Sequence, residues 1–142
     1  MSPLMRLRNH GQSYWLDDLT RQMTASGDLA QRIGSEDLRG VTSNPSIFAK
    51  ALQHDGGYTH EIADAAARGE NPQQIYEELV TSDARSACDL LRPVYDRTDG
   101  RDGFASREVS PHLAFGARAS VEEAQRLWRQ VDRPNLFIKI PA

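Results

Sequence analysis

The sequence predicts an α/β protein built on a parallel sheet. Four short apolar runs have strand character, at 13–17, 40–44, 103–109 and 135–141. The 20 to 60 residues separating consecutive runs carry helical periodicity, and crossovers of that length suit right-handed parallel connections. No repeat, low-complexity tract or linker divides the 142 residues, so a single unit with one core is expected.

Each element has its own signal. The first run, SYWLD, places Ser13, Trp15 and Asp17 on one face and Tyr14 and Leu16 on the other. Leu19 to Gly34 reads as one or two helices interrupted by Gly27. The second run, GVTSN, sets Thr42 beside Asn44. Ser46 to Leu52 and Tyr58 to Arg68 are shorter helices separated by the turn HDGG. Asn71-Pro72 starts another, an N-cap with proline at the first helical position. Ile75, Leu79, Ala84, Ala87, Leu91 and Val94 carry its apolar positions through residue 96, with a break signalled near Thr81-Ser82. The turn-rich RTDGRDG (97–103) leads into the third run, where Phe104, Ser106 and Glu108 share a face. Ser120 and Glu123 form a capping box for a helix to Asp132. Its apolar face is Val121, Ala124, Leu127, Trp128 and Val131. In the last run, NLFIKIP, Leu136, Ile138 and Ile140 oppose Phe137 and Lys139. The order is β-α-β-α-α-α-β-α-β.

Composition narrows the function classes. A net charge of −3 and a pI near 5.8, with basic residues scattered among acidic ones, argue against a nucleic-acid partner. The one cysteine, Cys88, cannot form an internal disulfide, which points to a reducing cytoplasm. MSPLMRLRNHGQ lacks the apolar core of a signal peptide, and no run reaches membrane-spanning length. HEIAD (60–64) lacks a second histidine at the fourth position, and His10, His54, His60 and His112 show no ligand spacing. No metal site is expected, and there is no G-x-G-x-x-G or P-loop.

One residue stands out against this background. Of 17 basic residues, 15 are arginine and two are lysine, yet Lys139 sits between Phe137, Ile138 and Ile140. If the apolar strand faces take the helices, Asp17, Asn44, Glu108 and Lys139 share the other side, each near the C-terminal end of its strand. Sites in parallel α/β proteins are built there. Each residue also has an ordinary reading. Lysine stems reach solvent, Asp17 or Asp18 caps the next helix, Glu108 is a structural partner of Lys139, and Asn44 before Pro45 is a turn and cap. Convergence of an amine, two carboxylates and an amide favours chemistry. An amine attacks a ketone to form a Schiff base, and the iminium stabilises the carbanion left when a carbon–carbon bond breaks. The amine must be neutral to attack. Phe137 is expected to contribute desolvation that disfavours the cation, against an opposing effect of Glu108. The two carboxyl groups serve proton transfer.

At these residues the chain resembles transaldolase, a class I (Schiff-base) aldolase relative, of the bacterial type whose first strand reads W-L-D. SYWLDDL, GVTSNPSIFAKAL, GFASREVSP and RPNLFIKIPA carry the resemblance, and with the connecting segments they cover nearly the whole chain. By position it implies that Lys139 is the Schiff-base lysine and that Glu108 works with a water in proton transfer. Asp17 is then the acid/base for the substrate hydroxyl, and Asn44 and Thr42 are substrate-binding. It also implies sugar-phosphate substrates in the pentose phosphate pathway, with no metal or organic cofactor because the lysine is the electron sink. Arg107, where an aliphatic residue is usual, and Ser110, after EV, depart from the family pattern.

The fold implied is the N-terminal half of a (β/α)8 TIM barrel, four parallel strands with extra helices between strands two and three. A complete barrel takes about 250 residues, and the family's phosphate-binding serine and arginine residues belong to later strands. A fragment or truncated chain is therefore expected, in preference to a self-associating half barrel. Its completion would come from a missing C-terminal half or from a homo-oligomer. The alternatives to transaldolase are a small Schiff-base aldolase acting on fructose 6-phosphate and a non-catalytic half-barrel scaffold.

Overall fold

A computed structural model describes residues 3–54, 56–113 and 116–140, with the side chains of residues 54 and 111 left aside. Four strands, β1 (Trp15–Leu16), β2 (Gly40–Thr42), β3 (Phe104–Glu108) and β4 (Leu136–Lys139), form one sheet in the order β1-β2-β3-β4. All three pairings are parallel. The helices are α1 (Arg21–Ala25), α2 (Asp28–Ser35), α3 (Pro45–His54), α4 (Thr59–Ala67), α5 (Pro72–Arg97) and α6 (Ala117–Val131). Short 3-10 turns cover Leu4–His10, Gly56–Tyr58 and Pro111–Leu113. Sequential parallel strands joined by helical crossovers make the N-terminal half of an α/β barrel. The extra helices α3 and α4 lie between β2 and α5, as expected. The strands are shorter than the apolar runs that signalled them, and the end of the fourth run lies outside the described residues.

Local chemistry explains the boundaries. Gly27 at φ +84° separates α1 from α2, so the segment after β1 is two helices. Asn71 Oδ1 accepts from Gln74 N at 3.0 Å, and Gln74 Oε1 accepts from Asn71 N at 2.9 Å. That reciprocal pair is a capping box, with Pro72 at the first helical position. Two expectations are corrected. α5 runs unbroken for 26 residues, because the Thr81 hydroxyl donates back to the Glu77 carbonyl at 2.7 Å without interrupting the helix. α6 starts at Ala117, not after Ser120. Ser120 is already helical, and its hydroxyl donates to the Leu113 carbonyl at 2.9 Å, tying α6 to the preceding turn.

The core lies between the sheet and the helices. Val41, Ala105 and Leu136 from the strands meet Leu29 of α2, Ala84, Ala87, Cys88, Leu91 and Val94 of α5, and Val131 of α6. Leu16 and Ile138 pack against the same cluster, which sets the opposite faces of β1 and β4 inward. Burial pushes the Cys88 thiol up to about 12, so this cysteine is a core residue rather than a reactive one. Fully buried Asn135 begins the fourth run. Its amide donates to Cys88 O and Gly103 O, each at 2.8 Å, locking β4 to α5 and to the entry of β3. A satellite cluster of Phe48, Tyr58, Leu79 and Val80 seats α3 and α4 on α5. The apolar stripe of α6 is narrower than expected: Leu127 and Val131 are buried, but Val121 and Trp128 are exposed. These two lie seven residues apart, two turns along the flank of α6, away from the sheet.

Arg126 ties α6 to α5 through Glu77 at 2.7 Å and reaches Glu123 at 2.7 Å. Hydrogen bonds from its guanidinium hold both carboxyls below their usual range. A depressed folded pKa contributes stability above the unfolded pKa and loses it as pH falls through the folded value. Glu77→Gln is therefore expected to flatten the acid limb of the stability profile below roughly pH 4.3. Urea midpoints across a pH series measure this, and an unchanged limb would place the acid sensitivity elsewhere.

Candidate active site

Register decides which side chains meet. Glu108 pairs with Lys139 across β3 and β4, at the C-terminal end of each strand. Their inward faces then bring Lys139 Nζ to Glu108 Oε1 at 2.5 Å. The same amine donates to Thr42 Oγ1 of β2 at 3.2 Å. Three of the expected residues thus form one contact chain across three adjacent strands. A hydroxyl and a carboxylate on one amine fix its direction, and the carboxylate gives its proton a destination.

Below this polar rim lies an aromatic floor. Phe104 and Phe137 stack with centroids 3.9 Å apart and planes 11° apart. Trp15 lies nearly parallel to Phe137 at 6.1 Å. Gly40 makes room for the indole, because a Cβ there would run into the Trp15 ring. Alternation puts these aromatics on the inward faces, but the contacts among β1, β3 and β4 are not legible in the sequence. Phe137, which lies against Phe104, is itself about half exposed. The Lys139 side chain is 41% exposed and held by Glu108. Its environment is that of an ion pair, not an apolar pocket.

Asn44 immediately follows the loop from β2 and opens α3. Its Oδ1 accepts from Ser46 N at 3.0 Å and Ile47 N at 3.4 Å. The oxygen is thus a helix cap, while no hydrogen bond among the described residues uses Nδ2. A cap and a ligand donor are compatible in one amide, since one atom serves each role. Asp17 is the residue after β1, exposed at the rim. It does not cap α1, nor does Asp18: Thr20 is the N-cap, accepting from Met23 N at 3.3 Å. No described hydrogen bond or ion pair ties Asp17 to Lys139. Sequence reasoning had noted Ser106 on the Glu108 face without giving it a role, and it is buried between the floor and the rim.

Among the described residues, no group of three or more His, Cys, Asp or Glu side chains is placed to hold a metal. None of the described helices is long and apolar enough to cross a membrane.

The family model for transaldolase/fructose-6-phosphate aldolase matches residues 14–142. A protein of Streptomyces coelicolor named transaldolase 2 is 50% identical over 139 residues, covering 98% of this chain and 37% of that protein. A transaldolase of Thermobifida fusca is 49% identical over 141 residues, 99% of this chain and 38% of its own length. One from Mycobacterium bovis is 48% identical over 139 residues, 98% of this chain and 37% of its own. The chain thus spans little more than a third of the length of these curated relatives. With its parallel half-barrel sheet and matched residues running through Lys139, the chain belongs to the transaldolase/fructose-6-phosphate aldolase family.

Proposed function

We propose that the protein is a transaldolase. It transfers a dihydroxyacetone unit from a ketose phosphate, such as fructose 6-phosphate or sedoheptulose 7-phosphate, to an aldose phosphate in the non-oxidative pentose phosphate pathway. The observation that carries this is the 2.5 Å contact between Lys139 Nζ and Glu108 Oε1 at paired strand ends.

The chemistry follows from that contact. Glu108 takes a proton from the ammonium as substrate displaces water, freeing the nitrogen lone pair. The amine adds to the ketone carbon, and Glu108 returns a proton so that the carbinolamine oxygen leaves as water. Asp17 accepts the proton of the hydroxyl on the carbon β to the iminium, that oxygen becomes the aldehyde of the departing product, and the electron pair of the broken α–β bond moves into the iminium as an enamine. The enamine attacks the acceptor aldehyde, which takes a proton, and hydrolysis releases the lysine. Thr42 directs the amine, and the Asn44 amide donates to a substrate hydroxyl. The chain acts as one half-barrel unit in the cytoplasm. The grip on the substrate phosphate comes from outside it, through a C-terminal half or a second copy.

Borohydride reduction in the presence of fructose 6-phosphate is expected to leave a stable adduct on Lys139, located by peptide mass analysis. No adduct here, with a longer chain labelled normally, would favour a scaffold role for this chain. The family's two activities support a second reading, an aldolase that releases the triose. Triose formation from fructose 6-phosphate without an added aldose would select it.

A further inference from the structure

Arg107 is a buried cation, and no carboxylate among the described residues is bonded to it. β3 sends it into the helix layer, where the residue is 4% exposed. Nη1 donates to the Thr81 hydroxyl at 2.7 Å. Nε has no acceptor among the described residues. Glu77 and Glu123 act on it through space, but both are already bonded to Arg126. A guanidinium taken out of water in this way is costly until an anion meets it. Burial accordingly pushes Arg107 below the ordinary arginine value.

The same side chain lines a cavity of about 270 Å³ between β3, α3, α5 and α6. Phe48, Tyr76, Val80 and Leu127 supply apolar wall, with Phe48 and Tyr76 meeting edge to face at 5.3 Å. Asn44 and Glu108 also line it, so the cavity adjoins the Lys139 site from the helix side of β3.

We propose that this cavity binds a small monocarboxylate with a flat apolar body. The side edge of a guanidinium, Nε with Nη2, grips a carboxylate bidentately, and Thr81 occupies only Nη1. The apolar body packs on the Phe48–Tyr76 pair. A single negative charge suits the cavity better than a phosphate dianion, because Glu77, Glu108 and Glu123 line it as well. The site owes nothing to Schiff-base chemistry, and its occupant lies beside the carboxylate assigned to proton transfer.

Benzoate tests this, since it has the flat body and no ketone to react with Lys139. It is titrated into the full chain and followed by amide chemical shifts, with neutral benzamide and phenyl phosphate in parallel. Saturable shifts at Tyr76, Thr81 and Ser110 are expected, and they persist in Lys139→Ala. The dissociation constant is expected to rise at least about tenfold in Arg107→Met, and benzamide to bind at least about tenfold more weakly than benzoate. Phenyl phosphate binds more weakly than benzoate. Absence of saturation, equal affinity for benzamide, tighter binding of phenyl phosphate, or unchanged affinity in Arg107→Met overturns the proposal. If Arg107→Met fails to fold, Arg107→Lys, which keeps the charge but not the fork, is expected to weaken benzoate, and the benzamide comparison stands on the unaltered protein.

Discussion

Lys139→Ala is expected to abolish the borohydride-trapped adduct with fructose 6-phosphate, because it removes the amine proposed to form the iminium. In a longer chain that turns over substrate, the same change is expected to abolish turnover. Retained turnover would sink the Schiff-base assignment. Glu108→Gln is the sharper companion. It keeps the shape at Lys139 Nζ but cannot take a proton. A general acid–base group contributes about 10² to 10⁴ in rate, so adduct formation is expected to slow by that order while the trapped site stays Lys139. A purely structural Glu108, acting only as an ion-pair partner, would instead be lost with little change in trapping rate once the fold is verified. Glu108 and Thr42 both hold the amine at the strand ends.

Gly103→Ala is expected to be the most destabilising single substitution remote from the site. Gly103 has φ +84°, and a Cβ there would lie 2.8 Å from Leu91 O and closer still to Tyr95 N. Both are backbone atoms of α5, so no side chain can swing away. Left-handed strain costs about 1–3 kcal/mol, and forced overpacking a further 1–3 kcal/mol. Their sum, on the order of 2–6 kcal/mol, is a large share of the 5–15 kcal/mol typical of a domain. Gly103 O also accepts from Asn135, so a shift here would propagate to the start of β4 and hence to Lys139. Urea unfolding measures the loss, and a midpoint change equivalent to under about 1 kcal/mol would show that α5 yields more readily than its contacts imply.

The contrast between Lys139 and Arg107 marks how far the sequence reaches. Lys139 stands out as a lysine in an apolar strand and Arg107 as a departure from the family pattern, and alternation places the two on opposite faces of the sheet. Alternation is a local property, fixed by the pleat of the backbone. It therefore needs no knowledge of what lies across the sheet. The same holds for the Asn71-Pro72 helix start and the Gly27 interruption, each written within a few residues. Where a local signal misled, a longer contact had overridden it. The Ser120 hydroxyl found Leu113 O instead of capping a helix, and Thr81 served Glu77 and Arg107 without breaking α5.

By itself the sequence determined the α/β class, the strand order along the chain, and the shared facing of Thr42, Glu108 and Lys139, because periodicity acts over a few residues. Only the tertiary structure decided the rest. It set the register that joins Lys139 to Glu108, the aromatic floor that leaves the amine in an ion pair, and the helix-side cavity that Arg107 lines. Those depend on how far one strand slides against the next and on what a distant helix brings opposite, and neither quantity is encoded within a single element.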